Sequence, residues 1–180
     1  MDNCKKMAIL FVFAFIGINL NAQENGFTFT PHFGGGGFST IFTFDRSGKY
    51  VAGTQGEFAF LFFENNFQIS YSIIGKGSSI STSYGDNYGT GSITNKISLG
   101  GFLPKDFLRS YSFIEGGIGF GAGIGTNALS YIFGGGGGID LFFNENGTIY
   151  AEFGYLQHYI HNELVGGIAV SVGVRRYFRR

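Results

Sequence analysis

Cysteine, proline, tryptophan and charge are all scarce in this chain of 180 residues. It has one cysteine, two prolines and no tryptophan, and charged residues make up 13% of the chain. The single cysteine, Cys4, lies in the N-terminal segment, so the chain beyond that segment has no disulfide, no thiol nucleophile and no thiolate metal site. Because a soluble surface typically carries about 25–35% charged residues, the low charge argues against a protein with a watery outer face.

The few charges are balanced in sign. Without Asp2, Lys5 and Lys6, the twelve basic and twelve acidic residues of the chain become ten and eleven. A nucleic-acid-binding domain usually carries a basic excess clustered on one face. The composition therefore gives no reason to expect a nucleic-acid partner.

The N-terminal segment has the pattern of a secretory signal peptide. Two lysines precede an apolar run from Met7 to Leu20, and Ala22 supplies a small residue at the cleavage site. The run of 14 residues is shorter than the about 20 that a membrane-spanning helix needs. We expect residues 1–22 to be removed and residues 23–180 to form one domain. An uncleaved N-terminal anchor is the alternative.

Glycine and phenylalanine are the commonest residues of the remaining chain. Many of them lie in segments where apolar residues alternate with small or polar ones. No other apolar run approaches the length of a spanning helix. Segments such as EFAFLFF (57–63) and TIYAEFGY (148–155) alternate with period two, which is the pattern of β-strands. Run by run, this pattern predicts eight strands, at about residues 27–43, 49–64, 67–77, 92–103, 110–124, 129–143, 147–159 and 164–178.

The connections between these strands alternate in character. Residues 64–66, 104–109 and 144–147 are compact turns, whereas the longest connection, Gly77–Gly91, is polar and carries Tyr84 and Tyr88. A membrane barrel with a periplasmic N-terminus has its short turns at the even-numbered connections and its longer loops outside. Tyr84 and Tyr88 are therefore possible contacts for an extracellular ligand, unless the loop is an ordinary solvated one.

The two faces of each strand decide between a soluble and a membrane protein. One face is apolar, as with Phe58 and Phe60, and the other carries Gly, Ser, Ala and single charges, as with Glu57 and Ala59. If the apolar face pointed inward, the outer surface would be mostly glycine and serine, which weakens strands. With the apolar face toward lipid, small residues fill the narrow interior of an eight-stranded barrel, and the five glycines of residues 134–138 lie where the interior is tightest.

The predicted fold class is thus all-β, a closed antiparallel up-and-down transmembrane β-barrel of about eight strands. A soluble exported β-sandwich is the alternative. Aromatic residues near strand ends are expected to form the interfacial girdles of a membrane protein; they are Tyr50, Phe63, Phe67, Tyr111, Phe143, Tyr159 and Tyr177.

The segments FIEGGIGFGAG (113–123), IYAEFGY (149–155) and VRRYF (174–178) give the chain a likeness to a known group. With its eight predicted strands, it resembles the small bacterial outer-membrane β-barrels of the OmpA/OmpX type. The resemblance implies a monomer in the outer membrane of a Gram-negative bacterium, in contact with its lipid. It also implies insertion by the barrel-assembly machinery, which commonly reads a terminal aromatic residue; here Phe178 is followed by Arg179 and Arg180.

Charged residues on the inward faces are the first candidates for a functional site, and we expect them to share the lumen. They are Glu57, Lys96, Glu115, Asp140, Glu152 and Arg175, with Lys76 as a possible addition. Unpaired charges in a packed interior are very costly, so pairing is expected. The network is interpreted as a structural plug, with a conducting path or a catalytic acid–base pair as alternatives.

The segment LQHYIHNE (156–163) holds two histidines near the predicted outer rim. Outer-membrane lipid A deacylases place a histidine and a serine two apart on a strand, but here Ile160 follows His158 and Glu163 follows His161. The nucleophile is missing, so we expect no catalytic residue, and interfacial polar residues are the simpler interpretation. No cofactor and no metal site are expected. The predicted function is a non-catalytic outer-membrane barrel with a structural or surface-interaction role, with a lipid-modifying enzyme or a small porin-like channel as alternatives.

Overall fold

The computed structural model describes residues 30–44, 49–64, 67–81, 87–102, 107–123, 126–143, 147–160 and 163–177. They form eight strands: β1 Thr30–Phe44, β2 Tyr50–Glu64, β3 Phe67–Ser81, β4 Asn87–Phe102, β5 Leu108–Gly123, β6 Thr126–Phe142, β7 Gly147–Ile160 and β8 Glu163–Tyr177. Among these residues there is no helix with the length and hydropathy that crossing a membrane requires.

The strands close into a barrel in chain order. Each strand pairs antiparallel with its neighbours in the chain, and β1 pairs with both β2 and β8. Closure gives every strand two partners and leaves no edge whose N–H and C=O groups would face the surroundings unpaired. The predicted closed antiparallel barrel of eight strands is confirmed.

β3 and β4 extend four and five residues further toward each other along the chain than the sequence pattern predicted, and the predicted long loop is wrong. The ladder between β3 and β4 continues to the pair Ser81–Asn87, so most of Gly77–Gly91 is strand. The cluster of serine, glycine and threonine predicts a loop, yet strand pairing needs only backbone groups, and small residues suit the lumen. Tyr88 is a strand residue opposite Ile80, whereas Tyr84 lies outside the described residues.

The outer wall of the barrel is apolar, as the strand alternation predicted. Phe58 is 50% exposed and Phe153 is 62% exposed, whereas Glu57, the residue before Phe58, is 7% exposed. Similar exposed residues lie on all eight strands, including Phe42, Tyr71, Ile97, Ile118, Phe133, Ile149 and Val172. The apolar face therefore points away from the lumen.

The lumen contains apolar side chains as well as small residues and charges. Two groups of buried apolar side chains lie inside, one of Val51, Ile80, Ile160 and Val165, the other of Ile41, Ile132, Leu156 and Ala169. The first group lies where β2, β3, β7 and β8 meet the odd-numbered connections. Apolar side chains thus fill the lumen at the rim opposite the compact turns.

One aromatic residue was assigned to the wrong face. Tyr111 was expected in an interfacial girdle, but it is 2% exposed and points into the lumen. Its position in β5 has the same parity as Glu115, which also points inward. Tyr50, Phe143 and Tyr159 are exposed, as girdle residues would be.

The glycine run of β6 lies where its neighbours leave no room for side chains. A Cβ on Gly136 would collide with the backbone carbonyl oxygen of Phe153 and lie 2.6 Å from Cα of Gly154. A Cβ on Gly138 would lie 2.6 Å from the Tyr111 hydroxyl. The inward-facing glycines therefore let β7 and the Tyr111 ring approach β6 closely.

Candidate functional site

Arg175 is the centre of a buried network of charges in the lumen. Its Nε donates to Oε2 of Glu57 at 2.8 Å, its Nη1 to Oδ1 of Asp140 at 2.9 Å, and its Nη2 to Oε1 of Glu152 at 2.6 Å. The guanidinium carbon lies 3.5 Å from the centroid of the Tyr150 ring. One side chain of β8 is thus bonded to carboxylates on β2, β6 and β7, a use of the guanidinium fork that a lysine could not reproduce.

Lys96 and Tyr111 complete the contacts of the same carboxylates. The Nζ of Lys96 lies 2.8 Å from Oε1 of Glu152 and 3.3 Å from Oε1 of Glu57. The Tyr111 hydroxyl donates to Oε1 of Glu152 at 2.8 Å and accepts from Nη1 of Arg175 at 2.7 Å. These bonds join β4 and β5 to the three strands that Arg175 already connects.

Arg109 is a further member of the network that the sequence pattern missed. It forms an ion pair with Asp140, its partner in the β5–β6 register, and its guanidinium carbon lies 4.8 Å from the centroid of the Tyr111 ring. The sequence pattern places it in the compact turn at residues 104–109. Continuing the inward parity of Glu115 back along β5 would have placed Arg109 in the lumen.

Glu115 belongs to a separate pair. Its carboxylate contacts the Nζ of Lys76 and accepts a hydrogen bond of 2.6 Å from Oγ1 of Thr94. All six residues expected in the lumen are buried there, but Glu115 pairs with Lys76 and the other five contact one another around Arg175.

The described lumen is balanced in charge and tightly filled. Its buried cations are Lys76, Lys96, Arg109 and Arg175, and its buried anions are Glu57, Glu115, Asp140 and Glu152. Each carboxylate has a cation within ion-pair distance. A cavity of about 10 Å³ beside Lys96 and Arg109 has room for roughly one water molecule. Among the described residues no cluster of His, Cys, Asp and Glu could hold a metal ion.

His158 lies inside the barrel, away from the lipid-facing wall. It is 2% exposed and sits in the ladder between Ile132 and Val165. Within the described part of the chain, neither of its ring nitrogens has a hydrogen-bond partner. His161, the other candidate of that segment, lies outside the described residues, and Glu163 is the first residue of β8.

Comparison with known proteins gives a fold and no sequence family. No family model and no curated protein matches the chain. The crystal structure of Neisserial surface protein A (NspA) aligns with a TM-score of 0.56 at 14% identity, covering 84% of this chain and 100% of that one. The attachment invasion locus protein Ail of Yersinia pestis aligns with a TM-score of 0.44 at 14% identity, over 81% of this chain and 97% of that one.

Only the first of these scores exceeds 0.5, and it agrees with the strand order and closure described above. Identity this low carries no residue roles from one protein to the other. The chain has the fold of the small eight-stranded outer-membrane β-barrels.

Proposed function

We propose that the protein is an integral outer-membrane β-barrel with a sealed lumen and no catalytic activity, acting structurally or through surface interactions of its outer loops. The observation that carries this proposal is the balanced set of four buried cations and four buried anions in the lumen. The apolar outer wall supports the membrane location, since lipid hydrocarbon tolerates such a wall and water does not.

The arrangement of the side chains in the lumen favours a sealed barrel and argues against an ion-conducting path. An ion would have to pass the Arg175 network and the apolar group around Ile132 and Leu156. Displacing Arg175 would leave buried carboxylates without one of their partners, and such uncompensated charges are strongly unfavourable. An eight-stranded barrel also has little bore beyond what its side chains fill.

Export, assembly and state of association belong to the same proposal. A signal peptide at residues 1–22 would deliver the chain across the inner membrane, and the barrel-assembly machinery would insert it as a monomer. An extracellular ligand would contact the outer loops, and Tyr88, opposite Ile80 in the β3–β4 hairpin, lies on the side of the odd-numbered connections where those loops are expected.

Wild-type protein inserted in a planar lipid bilayer is expected to show no unitary conductance steps above the bilayer noise. The reason is the filled and paired lumen. The measurement is current at fixed voltage over many insertions, with heat-unfolded protein in the same detergent as the control for leakage. Stable steps of one amplitude from the folded protein alone would contradict the plug and favour the channel.

A lipid-modifying enzyme is the alternative from another class, and His158 tests it. Replacing His158 by Leu is expected to leave the acyl content of outer-membrane lipid unchanged. It should also raise the free energy of unfolding by about 1 kcal/mol, because a buried ring without hydrogen-bond partners is removed. Lipid analysis of cells with and without the variant, together with urea unfolding, measures both. Acyl content that changes with wild-type expression and reverts in the variant would support the enzyme.

A further inference from the structure

An open groove crosses the outer wall over β3, β2, β1 and β8. It has a volume of about 1290 Å³, and its lining includes the outward-facing Gly36, Gly56, Gly75, Phe38, Phe58 and Arg176, together with Glu57 and Arg175, which are themselves buried. We propose that this groove holds one acyl chain of a phospholipid with an anionic headgroup, whose phosphate contacts Arg176. The inference rests on the proposed membrane location and adds a ligand site on the outer wall to it.

The floor of the groove is made by glycines that face outward beside phenylalanines. In the strand register Gly36 lies opposite Phe58, Gly56 lies opposite Phe38, and Gly56 also lies opposite Gly75. A Cβ added to Gly56 or Gly75 would meet no atom within 4 Å, so both glycines lie under open space. Phe38 and Phe58 are 59% and 50% exposed and form the walls beside this floor.

The groove runs from one rim of the barrel to about half its height. Arg176 is the penultimate residue of β8, and Gly75 is the ninth of the 15 residues of β3. One leaflet contributes about half of the roughly 30 Å of bilayer hydrocarbon. A groove that begins at the rim and ends near mid-height therefore matches the acyl chain of one leaflet, the one on the side of the even-numbered connections.

The charge at the rim selects the headgroup. Arg176 is exposed on the outer wall and pairs in the ladders with Gly36 and Gly147, both of which line the groove. A cation at the interface attracts anionic headgroups by about 1 kcal/mol. A phosphate held at Arg176 would have its acyl chain directly over the glycine floor.

A second copy of the barrel fits the groove less well. Two copies meeting through the same face would be related by two-fold symmetry, which brings the Arg176 of each to one interface. Like charges at a lipid-facing interface repel with little screening. A flexible chain of methylene groups can also follow a channel between Phe38 and Phe58 that a rigid barrel wall cannot enter.

Native mass spectrometry of the folded protein with equal amounts of phosphatidylglycerol and phosphatidylcholine tests the proposal. The wild type is expected to retain one phosphatidylglycerol about five-fold more often than phosphatidylcholine. Gly56→Leu with Gly75→Leu should fill the floor and abolish retention of both lipids, whereas Arg176→Gln should abolish only the preference. Gly91→Leu is the matched control, because a Cβ there also meets no atom within 4 Å and Gly91 does not line the groove.

The heat-dependent gel shift of a folded barrel, checked for each variant, excludes misfolding as the cause of lost lipid. Equal retention of the two lipids by wild type, or retention unchanged by the two leucines, would overturn the proposal. So would a dimer that the leucines disrupt. Flotation with vesicles tests the membrane location separately from the lipid site. If the wild type did not float, the proposed membrane location would be wrong, whatever the lipid measurement showed.

Discussion

Replacing Arg175 by Met is expected to lower the free energy of unfolding by about 3–5 kcal/mol, the range seen when one partner of a buried ion pair is removed. The variant takes away the hydrogen bonds that Glu57, Asp140 and Glu152 accept from the guanidinium. It also leaves three buried cations for four buried anions. Urea unfolding of the barrel in lipid vesicles, followed by the gel shift of the folded form, measures the effect.

Arg176→Met is the matched control for this change. It removes the same charge from the next residue, whose side chain is exposed on the outer wall, so a change below about 1 kcal/mol is expected in vesicles without anionic lipid. Adding Glu57→Gln to Arg175→Met should be less destabilising than the sum of the two single variants, because the second change removes a carboxylate that the first left without its guanidinium. Additive losses would mean that the two residues are not coupled and that the network does not hold the lumen together.

The strand pattern was sufficient to predict the barrel and its polarity. Alternation in segments such as 57–63 depends only on the period of the β-strand, and a lipid-facing wall must be apolar wherever it is exposed. These local rules are the reason that Phe58 and Glu57 could be assigned to opposite faces without knowledge of any neighbour. Closure could be predicted because every backbone N–H and C=O group in lipid must be hydrogen-bonded within the protein.

The partners inside the lumen could not be predicted in the same way. Which inward residues meet depends on the tilt and stagger of the closed sheet, which no single strand reveals. Lys96 and Glu152 lie on strands β4 and β7, which are not neighbours, yet they form an ion pair. The sequence pattern predicts a turn at Arg109 and an interfacial position for Tyr111 because both residues lie near the start of β5.

The β3–β4 hairpin was shortened for a related reason. Glycine is depleted in the strands of soluble proteins, and clusters of serine and glycine usually indicate loops. In a narrow lumen these residues fit, and Thr90 and Ser92 are buried there. Small polar residues therefore indicate loops in soluble proteins but strands in the wall of a narrow barrel. Only the closed sheet shows which of the two applies.

Replacing Gly136 by Ala is expected to destabilise the barrel by about 3 kcal/mol, the upper part of the range for overpacking. The new Cβ would collide with the backbone carbonyl oxygen of Phe153 and approach Cα of Gly154 to 2.6 Å. Backbone atoms cannot turn aside as a side chain can, so the β6–β7 ladder itself would have to open. Urea unfolding in vesicles again gives the size of the loss.

Gly137→Ala, one residue further along β6, is the control that separates this collision from the general effect of losing a glycine. A Cβ there faces the other side of the strand, and its nearest neighbour is the backbone carbonyl oxygen of Tyr111 at 3.5 Å, an ordinary contact. Alanine also restricts the unfolded chain, which stabilises a protein by about 0.4–1 kcal/mol where the native conformation accepts it. The two variants are therefore expected to change stability in opposite directions. Equal losses at both positions would mean that the glycine run serves flexibility along β6 and not the close approach of β7.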